Sequence, residues 1–172
     1  YSKMKRIFNK VIVISNEPEL YKFLKTEVYK DIFPGRGPMS GIHSGLINSS
    51  EERNFFISCD IPLIKTELID YIVGVVTDKP VVLPSENNFI QTLCGVYEKK
   101  CLPYIEKRMD ENTAIDGEPR KKQKRFSLIN LFLETGAEII NISGLPFYDD
   151  EMFFNLNDLG DFEKIKTIIE HA

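Results

Sequence analysis

The chain has 172 residues, 42% of them hydrophobic, and a formal net charge of −4 at pH 7. This length and composition suit one domain with one core, and the acidic balance argues against a protein that coats nucleic acid or an anionic membrane. No apolar run approaches the roughly 18 residues that cross a bilayer, so we expect a cytoplasmic protein. Three cysteines without a C-x-x-C pair and two distant histidines argue against a disulfide framework or a zinc site.

Short apolar runs typical of buried strands alternate with helical patterns along the chain. The predicted helices cover residues 1–8, 18–26, 42–48 and 126–134, two more are built around 68–73 and 102–105, and the last starts just after Asp158 and has apolar residues on one face over 162–169. The predicted strands are 11–15, 54–59, 80–83, 92–97 and 138–142. This alternation predicts an α/β fold with a mainly parallel sheet flanked by helices. Either Asn157 or Asp158 can cap the last helix.

Residues 31–41 contain three glycines and two prolines and cannot form regular structure throughout. Pro38 suits the first turn of a helix, and the neighbouring glycines let a ligand approach backbone N–H groups. A phosphate or the edge of a nucleobase would fit there, and Arg36 can add a charge-assisted hydrogen bond. An ordinary tight turn is the alternative interpretation of the same pattern.

Asp60 directly follows the predicted strand 54–59, and Pro62 prevents that strand from pairing further. We expect Asp60 at the carboxyl end of a central parallel strand, where ligands bind in open α/β sheets. A single carboxylate there can hold Mg²⁺, which takes its other ligands from phosphates and water. A turn aspartate or one at a helix N-terminus is the alternative.

Three ordered motifs carry a resemblance to a known family. They are Gly37-Pro38-x-x-Gly41-Ile42, Cys59-Asp60-Ile61-Pro62 and Asn155-Leu156-Asn157-Asp158. In this order and spacing the chain resembles the molybdenum cofactor guanylyltransferases, the MobA family of the nucleotide-diphospho-sugar transferase-like group. The resemblance implies the three-layer α/β/α, Rossmann-like fold of that group, in a single nucleotidyltransferase domain over residues 1–172.

The chain departs from the family pattern at two places. The family opens with a strand and an L-x-G-G-x-S-x-R-M-G-x-D-K loop around the triphosphate, and nothing like them occurs here. We therefore expect a preceding segment of about thirty residues in the complete protein, and we expect the chain without it to be inactive. The second departure is Asp158, where the family usually has threonine, and either residue caps a helix.

Carried over by motif position, the resemblance implies two groups of site residues. On the nucleotide side it makes Asp60 the magnesium ligand and catalytic residue, and it implies nucleotide contacts for Asn16, Asp31, Arg36, Gly37, Pro38 and Gly41. On the side of the second substrate, molybdopterin, Arg125 of the basic run 120–125 can attract the phosphate, and the resemblance implies Gln91, Asn155 and Asn157. The last two bracket Leu156, as alternation in a strand requires.

The activity implied by the resemblance is Mg²⁺-dependent transfer of GMP from GTP to molybdopterin, with release of pyrophosphate. We expect a monomer without nucleic-acid or membrane partners, in transient contact with other cofactor-biosynthesis proteins or acceptor molybdoenzymes. Two alternatives stay open: a cytidylyltransferase or other nucleotidyltransferase of the same fold, and a non-catalytic nucleotide-binding module without the phosphate loop. Of the remaining candidates, we expect His43 on a helix surface and Cys59 as a buried strand thiol.

Overall fold

The computed structural model of the protein describes residues 1–111 and 128–171. The strands in these residues are β1 (Val13–Ile14), β2 (Val28–Tyr29), β3 (Arg53–Ile57), β4 (Val81–Glu86), β5 (Phe89–Ile90), β6 (Cys94–Glu98) and β7 (Glu138–Asn141). The α-helices are α1 (Ser2–Ile7), α2 (Pro38–Asn48), α3 (Thr66–Gly74), α4 (Leu102–Glu111), α5 (Leu128–Thr135) and α6 (Leu159–His171). Two 3₁₀-helices occupy Pro18–Leu24 and Lys99–Cys101. None of the described helices is long and apolar enough to cross a membrane.

The strands form a two-stranded parallel sheet, β1-β2, and a five-stranded mixed sheet. The five-stranded sheet has the order β3-β6-β4-β5, with β7 paired to β4 in parallel. Strand β6 runs antiparallel to both β3 and β4, and β5 runs antiparallel to β4. The predicted α/β class is confirmed, and in the described residues parallel pairing is confined to β1-β2 and β4-β7. The chain reverses between β4 and β5 through two residues, and so short a connection permits only antiparallel pairing.

Side chains that alternate along β4 and β6 divide the core into two halves. On one face of the sheet, Val81, Leu83 and Tyr97 pack with buried residues of α2, α4 and α5. On the other face, Val82 and Val96 pack with buried residues of α3 and of the chain after β7. Helices therefore cover both faces of the sheet, which is the predicted three-layer α/β/α arrangement.

Helix α2 begins at Pro38, four residues before the predicted helix 42–48. Pro38 occupies the first turn, where its missing N–H removes no helical hydrogen bond. Gly37 precedes it with a φ of 67°, a conformation that favours glycine. Because most of α2 is buried, including Met39 and Leu46, the loop before it is attached to a fixed part of the core.

Candidate functional site

A cleft of about 840 Å³ lies between the loop before α2, the chain after β3, the β4–β5 hairpin and the start of α5. It brings together six residues that the sequence singled out, namely Arg36, Gly37, Pro38, Asp60, Gln91 and Asn155. The sequence suggested no individual site role for the other residues that line it: Gly35, Ser58, Ile61, Asn88, Phe89, Ile90, Thr92, Leu93, Cys94, Leu128 and Ile129. The cleft thus contains basic, acidic, amide and apolar groups.

The loop before α2 brings bare backbone to the cleft. Gly35 and Gly37 have φ values of 76° and 67°, and among the described residues no atom outside the adjacent residues lies within 4 Å of a Cβ built on either glycine. A ligand can therefore approach this backbone closely. Arg36 lies between the two glycines and lines the cleft as well. Backbone N–H groups beside a guanidinium suit a phosphate or the edge of a nucleobase.

Asp60 lines the cleft three residues after the end of β3. Within the described residues β3 lies at the end of the strand order and pairs only with the antiparallel β6, so the predicted place after a central parallel strand is wrong. The strand position therefore lends no support to a metal role. The carboxylate of Asp60 has no hydrogen-bond or ion-pair partner among residues 1–111 and 128–171.

The donor set around Asp60 fits some metals and not others. No group of three or more His, Cys, Asp or Glu side chains that could hold a metal ion is present in the described part of the chain. A closed protein site, such as structural zinc requires, does not fit. A single unpartnered carboxylate in a cleft does fit Mg²⁺, because Mg²⁺ binds one or two carboxylates and takes its other ligands from substrate phosphates and water.

The segment 155–157 runs beside Asp60 and is not a strand, contrary to the prediction from its alternating pattern. A backbone hydrogen bond joins it to Asp60, in which the N–H of Leu156 donates to the carbonyl of Asp60 at 2.7 Å. Asn155 lines the cleft. The backbone N–H of Asn157 donates to Asp161 Oδ2 at 3.0 Å, so Asn157 belongs to the start of α6 and not to the cleft wall.

Asn16 and Asp31 bind each other and are not among the residues that line the cleft. Asn16 Nδ2 donates to Asp31 Oδ2 at 3.0 Å, and the N–H of Asp31 donates to Asn16 Oδ1 at 3.2 Å. A Cβ built on Gly41 would lie 4.0 Å from Asp31 Oδ1. The predicted nucleotide-side residues therefore form two groups, one in the cleft and one around the Asn16–Asp31 pair.

The β4–β5 hairpin forms another wall of the cleft, and sequence reasoning missed it. Asn87 and Asn88 make its turn with φ values of 45° and 66°, a left-handed conformation that asparagine tolerates. Two adjacent asparagines between apolar runs were the signal that could have found the turn. The hairpin presents Phe89, which is 65% exposed, and leads directly into Gln91.

Two side chains lie in environments opposite to those predicted. His43 is 3% exposed because α2 packs against α4, where His43 Nε2 lies 3.2 Å from Glu106 Oε1. Cys59 is exposed because β3 ends two residues before it. Arg125, predicted for the molybdopterin side, lies outside the described residues.

Comparison with known proteins decides the family. Residues 1–123 match the family model of the MobA-like NTP transferase domain. The chain belongs to this family. A Clostridium perfringens protein named as a probable molybdenum cofactor guanylyltransferase is 34% identical over 158 residues, which are 92% of this chain and 76% of that protein. A protein of the same name from Carboxydothermus hydrogenoformans is 30% identical over 171 residues, 97% of this chain and 79% of that protein.

Solved structures of similar proteins confirm the fold of this MobA-like NTP transferase. The protein Aq1419 from Aquifex aeolicus has a TM-score of 0.75 at 25% identity and is matched over 92% of this chain and 76% of its own. Molybdopterin-guanine dinucleotide biosynthesis protein A from Archaeoglobus fulgidus has a TM-score of 0.72 over 99% of this chain and 85% of its own. Its 14% identity bears on the fold alone. The predicted family and the predicted nucleotidyltransferase class are confirmed.

Proposed function

We propose that this protein transfers GMP from GTP to molybdopterin, forming the guanine dinucleotide form of the cofactor and releasing pyrophosphate. The observation that carries the proposal is a single cleft lined by Gly37, Asp60 and Gln91 together. Nucleotidyl transfer between two bound substrates depends mainly on positioning and charge neutralisation, which such a cleft provides. The names of the relatives from Clostridium perfringens and Carboxydothermus hydrogenoformans support the choice of substrates.

The reaction needs no covalent intermediate on the protein. A phosphate oxygen of molybdopterin forms a bond to the α-phosphorus of GTP, while the bond between that phosphorus and the bridging oxygen of pyrophosphate breaks. Backbone N–H groups of residues 35–37 and the Arg36 guanidinium bind the phosphates. Asp60 holds Mg²⁺, which when bound neutralises charge on the phosphate oxygens.

The remaining predicted residues divide between the two substrates. Asp31, with Asn16 and Gly41 beside it, contacts the base or ribose, and its carboxylate accepts from the N1–H and N2–H₂ donors of guanine. Adenine and cytosine lack this pair of donors, so we expect GTP to be preferred over ATP and CTP by about ten- to a hundredfold. Gln91 and Asn155, which line the cleft, contact molybdopterin together with Arg125, whereas Asn157 is bound at the start of α6 and is not assigned to either substrate.

The test is turnover by the full-length protein with molybdopterin, Mg²⁺ and equal concentrations of GTP, CTP or ATP. Asp60→Asn should lower transfer by on the order of a hundredfold or more, and omission of Mg²⁺ should have a similar effect. Asp70→Asn, at an exposed aspartate of α3, is the matched control and should retain activity. A preference for CTP would indicate a cytidylyltransferase, and GTP binding without any transfer would indicate a non-catalytic module.

A further inference from the structure

Gln91 is held at the cleft by its backbone and by its side chain. Its N–H donates to the carbonyl of Pro84 at 3.0 Å, and its carbonyl accepts from the N–H of Cys94 at 3.2 Å. Its side-chain Nε2 donates to Glu86 Oε1 at 2.8 Å. The residue therefore has little freedom to turn away from the cleft that it lines.

Glu86 is in turn bound by a tyrosine from a distant part of the chain. Tyr148 Oη donates to Glu86 Oε2 at 3.0 Å and lies 3.1 Å from Asp150 Oδ1. Burial and these two carboxylates raise the pKa of Tyr148 to about 12, so the phenol keeps its hydrogen at neutral pH. Because the phenol has only one hydrogen to donate, Glu86 and Asp150 compete for its hydrogen bond.

The segment that carries Tyr148 is fixed to the start of α3. Lys65 Nζ donates to the carbonyl of Phe147 at 3.1 Å and forms an ion pair with Asp149. The ring of Phe147 packs on Tyr71 of α3, with ring centroids 5.8 Å apart. The N–H of Tyr148 donates to the carbonyl of Leu145 at 3.0 Å. The phenol is thus placed by contacts that do not involve the cleft.

This arrangement determines which end of the Gln91 amide is bound. A carboxylate offers only hydrogen-bond acceptors, so the Gln91 side chain must turn Nε2 towards Glu86. The other end, Oε1, has no partner among the residues that the structure describes. Phe89 and Ile129 line the same cleft as Gln91, with 65% and 54% of their surfaces exposed, and apolar side chains of this kind suit the face of a flat ring.

We propose that Tyr148 and Glu86 are positioning residues that present Gln91 Oε1 as an acceptor for an N–H donor of the second substrate. The class of ligand is a flat, nitrogen-rich heterocycle, which lies against Phe89 and donates from its edge to Gln91. The proposal rests on the proposed function, because it assigns this wall of the cleft to the acceptor of the GMP group. Glu86 contacts Gln91 directly, and Tyr148 acts on Gln91 through Glu86. Neither residue is assigned a contact with the reacting atoms.

The test compares KM values for the two substrates in three variants of the full-length protein. Glu86→Gln keeps the shape of the side chain but lets either end of the Gln91 amide face it, so KM for molybdopterin should rise about tenfold or more, with KM for GTP unchanged. Tyr148→Phe should raise the same KM by a smaller factor. Tyr29→Phe is the matched control, because Tyr29 Oη also donates to a glutamate, Glu27, at 3.2 Å but lies outside the cleft lining.

A double-mutant cycle separates a relay from two independent effects. If Tyr148 acts through Glu86, the double variant should have the same KM for molybdopterin as Glu86→Gln alone. Additive effects, unchanged KM values, or equal increases in the KM of both substrates would overturn the proposal. Urea denaturation of each variant establishes that it is folded.

A binding measurement keeps this proposal distinct from the proposed function. If wild-type protein does not transfer GMP, the proposed function is refuted. The positioning role is then judged by the affinity of the protein for a free fluorescent pterin. Glu86→Gln should weaken pterin binding about tenfold or more, whereas Tyr29→Phe should not change it. Wild-type protein that binds no pterin, or variants with equal affinity for pterin, would contradict the positioning role.

Discussion

The three cysteines differ in burial, and this difference determines their reactivity. Cys59 is exposed after β3, whereas Cys94 and Cys101 are buried. Burial raises the pKa of Cys94 to about 12 and that of Cys101 to about 11. Because the thiolate is the nucleophile, the buried pair is protected both by exclusion of the reagent and by protonation.

We expect iodoacetamide at pH 8 to label Cys59 in the native protein and to leave Cys94 and Cys101 unmodified. All three should react once the protein is unfolded in urea. Peptide mass spectrometry after a short reaction measures the extent of labelling at each position. Cys59→Ser is the control and should abolish native labelling, whereas native labelling of Cys94 as fast as that of Cys59 would contradict its burial.

The residues adjacent in sequence made it possible to predict some site residues, whereas others depend on contacts between distant parts of the chain. Asp60 and Gly37 could be singled out because each has an unusual neighbour in sequence, Pro62 for the first and Pro38 for the second. The burial of His43 depends on the packing of α2 against α4, whose Glu106 lies 63 positions away in sequence, and no local pattern contains that contact. Cys59 is exposed because β3 stops pairing at Ile57. The partner of Ile57 is Cys94 of β6, which lies far along the chain.

At the scale of single elements, the cap predicted from the sequence at the start of α6 is present in the structure. Asp158 directly precedes the helix, and its Oδ1 accepts from the N–H of Asp161 at 2.9 Å. Asp161 Oδ2 accepts in return from the N–H of Asn157 at 3.0 Å. These reciprocal bonds resemble a capping box. Of the two capping candidates predicted from the sequence, Asp158 is the one that caps.

Replacement of the cap should destabilise α6. We expect Asp158→Ala to cost about 1 kcal/mol, because the N–H of Asp161 loses its acceptor, and Asp158→Thr to restore most of that loss. Glu163→Ala, at an exposed position of the same helix, is the control and should change stability by less than about 0.5 kcal/mol. Urea denaturation, with hydrogen exchange of the α6 amides, measures the effect. Equal stability of Asp158→Ala and wild type would exclude the cap.

Most elements could be predicted from hydrophobic periodicity, and the failures have physical causes. The pattern of 155–157 alternates like a strand, but the segment makes only one backbone hydrogen bond to Asp60, and alternation alone does not provide a neighbouring strand. The β4–β5 hairpin was missed because its strand β5 has only two residues, too few for a period to be visible. It nevertheless brings Phe89 to the cleft.

At the scale of the whole molecule, the strand order was beyond the reach of the sequence pattern. The apolar pattern of a strand such as Val81–Glu86 predicts that it is buried, but it does not indicate whether the neighbouring strands are parallel or antiparallel. Its partners are set by the connections: a two-residue turn gives β5, and a crossover that includes α4 and α5 gives the parallel β7. The antiparallel β6 between β3 and β4 and the antiparallel β5 beside β4 separate this sheet from an all-parallel one.

The core of this sheet contains groups that ionise only after unfolding. Cys94 and Cys101 have pKa values of about 12 and 11, above the ordinary thiol value of 9.0, and burial is the main cause in both. Burial likewise raises the pKa of Tyr97 well above 10.0. In the unfolded chain all three return to water. The unfolded state therefore releases their protons at a lower pH than the folded state does.

Below about pH 9 these groups should therefore not change the free energy of unfolding. As the pH rises from there towards 11 and 12, the free energy of unfolding should fall, because deprotonation of these groups favours the unfolded chain. Each thiol contributes a slope of up to about 1.4 kcal/mol per pH unit. The free energy of unfolding in urea, measured from pH 8 to pH 11, tests this. Cys101→Ala removes one ionising group and should make the slope shallower whatever it does to stability at pH 8. A stability that does not fall between pH 9 and pH 11 would mean that the buried thiols ionise as readily in the folded protein as in water.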